Sequence, residues 1–467
     1  MNASIFLGAF GLYIVFLIAV GWFVSRRSTD EDDFLLAGRS LPIFLTIGTT
    51  VATMVGTGSS MGAVGFGYAN SWAGALYGIG GAVGILLLGL LFAPARARGF
   101  STMSEELASY VGNHPLVNKV VALLILLACL GWLGAHILGG SLYLAWITGI
   151  DLQLAKLLVA AGFGVFVIVG GYHAVVWTDT LQALVLFAGF LLMGVFAVHT
   201  VGGWEVVMES QRAVEQAQPM AFLPALSLVT VIAVGVLATP SFRQRIYSAR
   251  SVGSVRKSFY ISGGLYLFFS LIPALIGICA FVLNPALENR NFAFPYLAIE
   301  VLPLGIGVVV LLAGLSATMS SASSDAIAGV TVLVRDIRKT PPQEASGGLR
   351  QSRIGLLVVI GIALALAMMS DDLIGYISKM ISTVMAGLFA CGLLGRFWPL
   401  YSWQGALASL LAGSIVSMLV LATANSFWGN PIIPAVAAAL VCGVVTSYLC
   451  SRSEREVTEA AVAPSAE

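Results

Sequence analysis

Thr49–Trp72 reads TTVATMVGTGSSMGAVGFGYANSW. The run is apolar and long enough to cross a bilayer, yet Gly56, Gly58 and Gly62, with Thr57, Ser59 and Ser60 between them, interrupt it midway. Glycine in a helix interior is destabilising by roughly 1 kcal/mol relative to alanine, and hydroxyls compete for backbone partners. The spacing therefore predicts a helix that breaks at Gly56 and Gly58. A second stretch, VIAVGVLATPSFRQRIY over 231–247, breaks for a different reason. Pro240 offers no amide proton and its ring clashes with the preceding turn. Backbone groups freed inside a membrane are tolerated only when buried in protein or lining a wet cavity. Two broken spans at corresponding places in two halves point to a transporter's binding site. These two lie five spans apart, as an inverted five-plus-five repeat requires. Glycine-mediated packing and an ordinary proline kink remain the plainer readings of each break taken alone.

Composition agrees with a lipid-facing chain. Of 467 residues, 58% are hydrophobic and only 10% charged, with a mean hydropathy of +0.96. Soluble domains carry roughly a quarter charged residues, so the chain reads as an all-α integral membrane protein. A net charge of +1 gives no reason to expect a nucleic-acid partner. The five cysteines lie in or beside apolar runs without CxxC spacing and read as packing residues. The first apolar stretch lacks a basic leader and runs into Arg26 and Arg27, so it reads as a spanning helix rather than a cleaved signal.

Apolar runs predict about thirteen spans, near 4–25, 43–70, 72–95, 117–148, 152–171, 177–200, 222–246, 257–284, 302–335, 352–370, 373–395, 403–424 and 431–450. The expected organisation is a leading helix and loop (1–42), a first five-helix unit (43–200), a second (201–395), two further helices (396–452) and a disordered tail (453–467). With the N-terminus outside, the inner loops collect the arginines, including Arg39, Arg96, Arg243, Arg245, Arg250 and Arg335, while the outer loops are acidic. That places the C-terminus in the cytoplasm. The stretch near 340–352 reads as a flexible inner linker.

SATMSSASSD, Ser316–Asp325, places six hydroxyls and a carboxylate inside an otherwise apolar run. On a helix, Ala317, Ser320, Ser321 and Ser324 share one face, and Ser323 lies beside them. Such a face can supply oxygens to a hard monovalent cation, with carbonyls of an unwound neighbour completing the shell. The plainer reading is that these serines bond their own helix carbonyls. Asp179 stands out equally: a carboxylate within a span is costly, by ~2.5–3.5 kcal/mol, and marks function by default, although it could instead cap a helix at the inner interface.

Five stretches together resemble the sodium:solute symporter family: DFLLAGRSLP, GTGSSMGAVGFGYANSW, GGYHAVVWTDTLQALVL, QRIYSARS and LSATMSSASSDAIAGVTVLVRDI. The resemblance runs through nearly the whole chain. It implies the LeuT-type inverted-repeat fold, with one helix before the five-plus-five core and two after it. It implies a first sodium site from the carbonyls of Ala52, Val55 and Ala317 and the hydroxyls of Ser320 and Ser321. Some members hold a second sodium, which maps onto Asp179, Ser320, Ser323 and Ser324. Asp325 departs from the pattern; it reads as a proton-coupled site, a member of the second cation site or a partner for an inner-loop arginine, the last preferred. Sugar-binding members carry a glutamate where this chain has Gly78, and proline carriers an aspartate where it has Met54.

The substrate is expected between the breaks, near Ser59, Ser60, Tyr77, His136, Thr239, Ser241 and Phe242. His136 reads either as a satisfied buried histidine bonding a helix carbonyl or as a substrate donor. No arginine or lysine is expected in the site, which disfavours strong anions. The expected function is sodium-coupled import of a small neutral, zwitterionic or monocarboxylate nutrient across the cell membrane. A proton-coupled carrier using Asp179 and Asp325 and a transport-dead sensor are the alternatives. No nucleophile–base or metal cluster indicates an enzyme, and Na+ is the one ion implied, with no organic cofactor.

Overall fold

The computed structural model describes residues 3–25, 30–217, 220–338, 345–369 and 373–462; within these, the side chains of 25, 60, 212–217, 345–347, 373–382 and 452–462 are not described. The described residues are helical, and their one β contact is an isolated parallel bridge between Leu41 and Ala249. Fifteen helices carry the architecture: α1 (Ala3–Ser25), α2 (Ile43–Met54), α3 (Val64–Asn70), α4 (Ala75–Phe92), α5 (Pro115–Thr148), α6 (Leu152–Thr200), α7 (Phe222–Ala238), α8 (Pro240–Ser248), α9 (Val252–Phe269), α10 (Leu271–Leu283), α11 (Leu304–Val332), α12 (Ala345–Met368), α13 (Leu373–Phe397), α14 (Trp403–Thr423) and α15 (Ile432–Val462).

Among the described residues nine helical runs are long and apolar enough to cross a membrane, or ten with the bent α7–α8 pair counted as one. Most of the thirteen expected spans coincide with these runs, and the differences have local causes. The expected 43–70 span is α2 and α3 joined by an unwound stretch and a π-turn over Gly58–Ala63. The two expected spans 152–171 and 177–200 are one helical run of 49 residues, α6. At 1.5 Å per residue that is roughly 74 Å, more than twice the ~30 Å hydrocarbon core. Its direction changes at Gly171, where φ is 58° and ψ −156°. A side chain there would also collide with Phe34, so glycine alone fits. The expected linker near 340–352 is already helical from Ala345, and 339–344 lie outside the described residues. The expected disordered tail is helical to Val462, in keeping with its Glu- and Ala-rich sequence; residues 463–467 lie outside the described ones.

Helix α11 is the axis of the molecule. Every residue from Val310 to Val332 except Leu312 is buried, with α5 and α6 packed along it and α2 and α8 against its polar half. An all-round buried helix has no water face. Its hydroxyls must therefore find partners in protein or bind a ligand. Helix α1 lies at the rim along α6, with Leu12 74% and Phe23 63% exposed, which suits lipid contact. Helices α13, α14 and α15 pack on one another beside α7.

The loops that carry most arginines meet on one face. Arg39 donates to Asp32, Gly99 O, Phe100 O and Ser101. Arg96 donates to Ala249 O and Arg39 O, Arg250 to Ser40 O, and Arg335 pairs with Glu31 at 3.2 Å. Arg243 and Arg245 are the exceptions. The sequence reading placed them in this loop region, but helix α8 is buried throughout and both guanidinium groups lie inside the protein.

Candidate functional site

Helix α2 ends where Val55 leaves the helical region, at φ −85° and ψ 52°. Ser59 spans the break: its hydroxyl donates to Met54 O at 3.1 Å and lies 2.7 Å from the Tyr266 hydroxyl. Ser59 is buried and does not line the cavity, a correction to its expected place in the substrate wall. The side chain of Ser60 lies outside the described residues. The second break is at Thr239, between α7 and α8, where the chain bends by 45° and Pro240 opens the new helix.

Opposite the first break, α11 brings up its hydroxyl pair. Ser320 Oγ lies 3.2 Å from Ala52 O and 3.3 Å from Ala317 O. Ser321 Oγ lies 3.0 Å from Thr53 O and 3.2 Å from Ala317 O. Five oxygens, two hydroxyl and three carbonyl, thus converge without nitrogen or sulfur, a donor set for a hard cation. Of the expected first-site residues, Ala52, Ala317, Ser320 and Ser321 are together. Ser321 meets Thr53 O, a carbonyl not among those expected, while Val55, whose carbonyl was expected in the set, stands two residues on at the end of α2. Gly56 leaves room for this hydroxyl, because a β-carbon on it would lie 2.6 Å from Ser321 Oγ and displace it.

The second oxygen cluster is built differently from expectation. Asp179 lies inside α6, wholly buried, so it is not a helix cap. Its Oδ2 accepts from Thr49 Oγ1 at 2.6 Å and Ser324 Oγ at 3.3 Å. Arg245 reaches the same oxygens. Its Nη2 donates to Thr49 Oγ1 at 2.8 Å, Thr49 O at 3.1 Å, Thr53 Oγ1 at 2.5 Å and Ser324 Oγ at 2.9 Å, and lies 3.7 Å from Asp179 Oδ2. Arg245, expected in an inner loop, thus enters the second cation cluster and not the central cavity, whose lining includes Arg290 where no basic side chain was expected. Ser323 does not join the cluster; its hydroxyl donates to Ser320 O at 2.8 Å within its own helix. Ser320 belongs to the first cluster alone.

Between the two breaks lies a cavity of about 470 Å³. Tyr77, His136, Thr239, Ser241 and Phe242 line it as expected, together with Gly56 and Gly58 from the first break. Asp325 lines it too, and its neighbour is His136 Nε2 at 3.4 Å rather than an inner-loop arginine. His136 Nδ1 lies 3.3 Å from Thr57 Oγ1, and the Trp132 ring stacks 6.0 Å from the imidazole. The cavity opens toward Arg290 and Gly429, both exposed, away from the basic face.

Toward the basic face it is closed. Arg243 Nη1 donates to Glu106 Oε1 at 2.7 Å and its guanidinium sits 3.5 Å from the centre of the Phe92 ring. The Tyr247 and Tyr110 hydroxyls donate to the same carboxylate at 2.5 and 2.7 Å. Burial and that carboxylate raise the Tyr110 hydroxyl above its usual pKa, which keeps it a donor.

Three residues of this centre were not read from sequence. Thr49 and Thr53 are four apart on α2, on the face that meets Asp179, and their spacing within an apolar helix was a usable signal. Trp132 stands four before His136 on α5 and shares its face.

A model of the sodium:solute symporter family matches residues 34–413. The pig sodium/glucose cotransporter 1 (Sus scrofa) is 25% identical over 94% of this chain and 75% of its own. The sodium/glucose cotransporter of Vibrio parahaemolyticus is 27% identical over 86% and 82%. The fold matches that of a Na+-coupled sialic acid symporter in a substrate-bound outward-open state, with a TM-score of 0.82 at 19% identity, over 95% of this chain and 97% of that one. With a family model covering most of its length, a LeuT-like helical fold and membrane-length apolar helices, the chain is a multi-pass transporter and belongs to the sodium:solute symporter family.

Proposed function

We propose that this protein imports a small organic solute by symport with sodium, alternating access to the central cavity between the two membrane faces. The observation that carries the reading is the convergence of the Ser320 and Ser321 hydroxyls with the Ala52, Thr53 and Ala317 carbonyls beside that cavity. Sodium at this cluster ties α11 to the broken end of α2, and so couples ion binding to the shape of the cavity wall. The basic face is the cytoplasmic one, by the excess of arginine. The cavity then faces outward, with the N-terminus outside, the C-terminus inside and the protein in the cell membrane. Helices from 43–200 and 201–395 form the two inverted repeats, each with one broken helix.

The second cluster holds a cation of the protein's own. Arg245 supplies to Asp179, Thr49 and Ser324 the positive charge that a second sodium would bring, so one sodium moves per cycle in place of the two expected. The glucose and sialic acid named for the similar proteins do not transfer simply. Position 78 is a glycine pressed against Ser270, with no room for the glutamate expected of sugar-binding members. The site for a solute of modest size is instead walled by Tyr77, His136, Thr239, Ser241 and Phe242. A second reading, proton coupling on the same fold, is favoured by the His136–Asp325 contact. Uptake into proteoliposomes, with external sodium replaced by potassium at constant pH, separates the two. Sodium coupling predicts that uptake collapses. Uptake that persists without sodium and follows an imposed pH gradient supports the proton reading.

A further inference from the structure

We propose that the cavity takes a solute bearing an ammonium group, with Asp325 as its anchor; this rests on reading the cavity as the substrate site. The Asp325 side chain is 4% exposed and lines the cavity. One of its oxygens faces His136 Nε2 at 3.4 Å. The other imidazole nitrogen lies 3.3 Å from the Thr57 hydroxyl. With that hydroxyl donating to Nδ1, a neutral imidazole keeps its proton on Nε2 and turns it to Asp325. The second carboxylate oxygen, Oδ1, has no hydrogen-bond partner among the described residues. A buried carboxylate with an open oxygen is costly unless a cation pairs with it.

With His136 neutral, no side chain among the described residues brings that cation to Oδ1. Arg245 is engaged by Asp179, Thr49, Thr53 and Ser324, and Arg243 by Glu106. Among the described residues lining the cavity, the remaining strongly basic side chain is Arg290, exposed at the mouth. The walls suit a cation as well. Trp132, Tyr77, Phe66 and Phe242 line the same space, and aromatic faces attract ammonium groups within about 6 Å of the ring centre. An anion would meet the Asp325 carboxylate as a like charge. A neutral polyol would give Oδ1 a hydroxyl partner but would lack both the ion pair and the attraction of a cation to the rings. The solute is therefore an organic cation, or a zwitterion whose carboxylate points to Arg290.

Four probes of nearly one shape test this on the purified full-length protein: choline, glycine betaine, 3,3-dimethyl-1-butanol and 3,3-dimethylbutyrate. Thermal unfolding is followed in sodium chloride and in potassium chloride. Samples without a probe report the sodium response by itself. We expect choline or betaine to raise the melting temperature while the neutral alcohol and the carboxylate do not. Choline without betaine marks a simple cation; betaine above choline marks a zwitterion held also at Arg290. Asp325→Asn should weaken the effective probe at least tenfold, and Trp132→Leu, which leaves the charges alone, should weaken it too. Probe binding undiminished in Asp325→Asn, equal binding of the alcohol or carboxylate, or no response to either ammonium probe overturns the proposal. A missing sodium response with a normal ammonium response overturns the sodium coupling instead and leaves this inference standing.

Discussion

At the scale of single residues, Ser321 and Arg245 make opposite demands on a cation. In the proposed sodium site Ser321 offers a hydroxyl to the ion, and its loss removes one oxygen of five. Wild type at a sodium concentration a hundred times Kd gains about 2.7 kcal/mol from binding to the folded state. Ser321→Ala is expected to forfeit most of that gain in a sodium-dependent melting curve. Arg245 already is the cation of its cluster. Arg245→Gln leaves Asp179 buried and unpaired, a defect that typically costs about 3–5 kcal/mol in potassium. Sodium should then repair part of it, so the sodium response becomes steeper than in wild type and falls back in Arg245→Gln/Asp179→Asn. The hydroxyl pair was legible because six hydroxyls and a carboxylate crowd one apolar run, although bonding to their own helix carbonyls explains any one or two of them. Arg245 was not, because a charge close to a loop reads as part of that loop. Geometry held the missing clue. Arg245 lies five residues after Pro240, only about 7.5 Å along a helix, and helical side chains lean back toward the N-terminus, here toward the break.

At the scale of elements, the account depends on helices that stop in mid-membrane and on the helix that faces them. Gly56→Ala tests this without touching a ligand atom. Its β-carbon would lie 2.6 Å from Ser321 Oγ, so the hydroxyl must move out of the cluster. Sodium affinity should fall at least tenfold in the same melting assay, while expression and the far-ultraviolet helical signal stay near wild type. Gly171→Ala tests the bend in α6, where a positive φ and the Phe34 backbone O at 2.7 Å exclude a side chain. It should destabilise by about 1–3 kcal/mol, with sodium affinity little changed in the molecules that fold. Glycine and proline made both broken helices readable in advance, since their backbone effects are local. The same locality hid the continuity of α6. GlyGly between two apolar stretches reads as a boundary, yet the helix resumes at once because α1 and the short helix Glu31–Leu36, which carries Phe34, close against the bend.

At the scale of the whole molecule, transport requires that the cavity open to one side at a time. The seal on the basic face is a buried ion pair, Arg243–Glu106, reinforced by Tyr247 and Tyr110. Glu106→Gln should weaken that seal and shift the population toward the opposite opening. In a cysteine-free background, Thr239→Cys should then react more slowly with a charged thiol reagent added from the outer side than it does with Glu106 intact. The fold class and the family were readable from the order of five motifs, whereas this seal was not, because Glu106 and Arg243 meet only in three dimensions. One sodium falling through 100 mV supplies about 2.3 kcal/mol, roughly a fifty-fold accumulation, so the number of ions fixes the scale of the gradient. The most direct test of the central claim is a sodium titration of thermal unfolding at fixed ionic strength against potassium, on wild type and Ser321→Ala. The account predicts a sodium-specific rise of the melting temperature in wild type, saturating as a single site and mostly lost in Ser321→Ala. A flat wild-type curve, or an equal rise in Ser321→Ala, would contradict it.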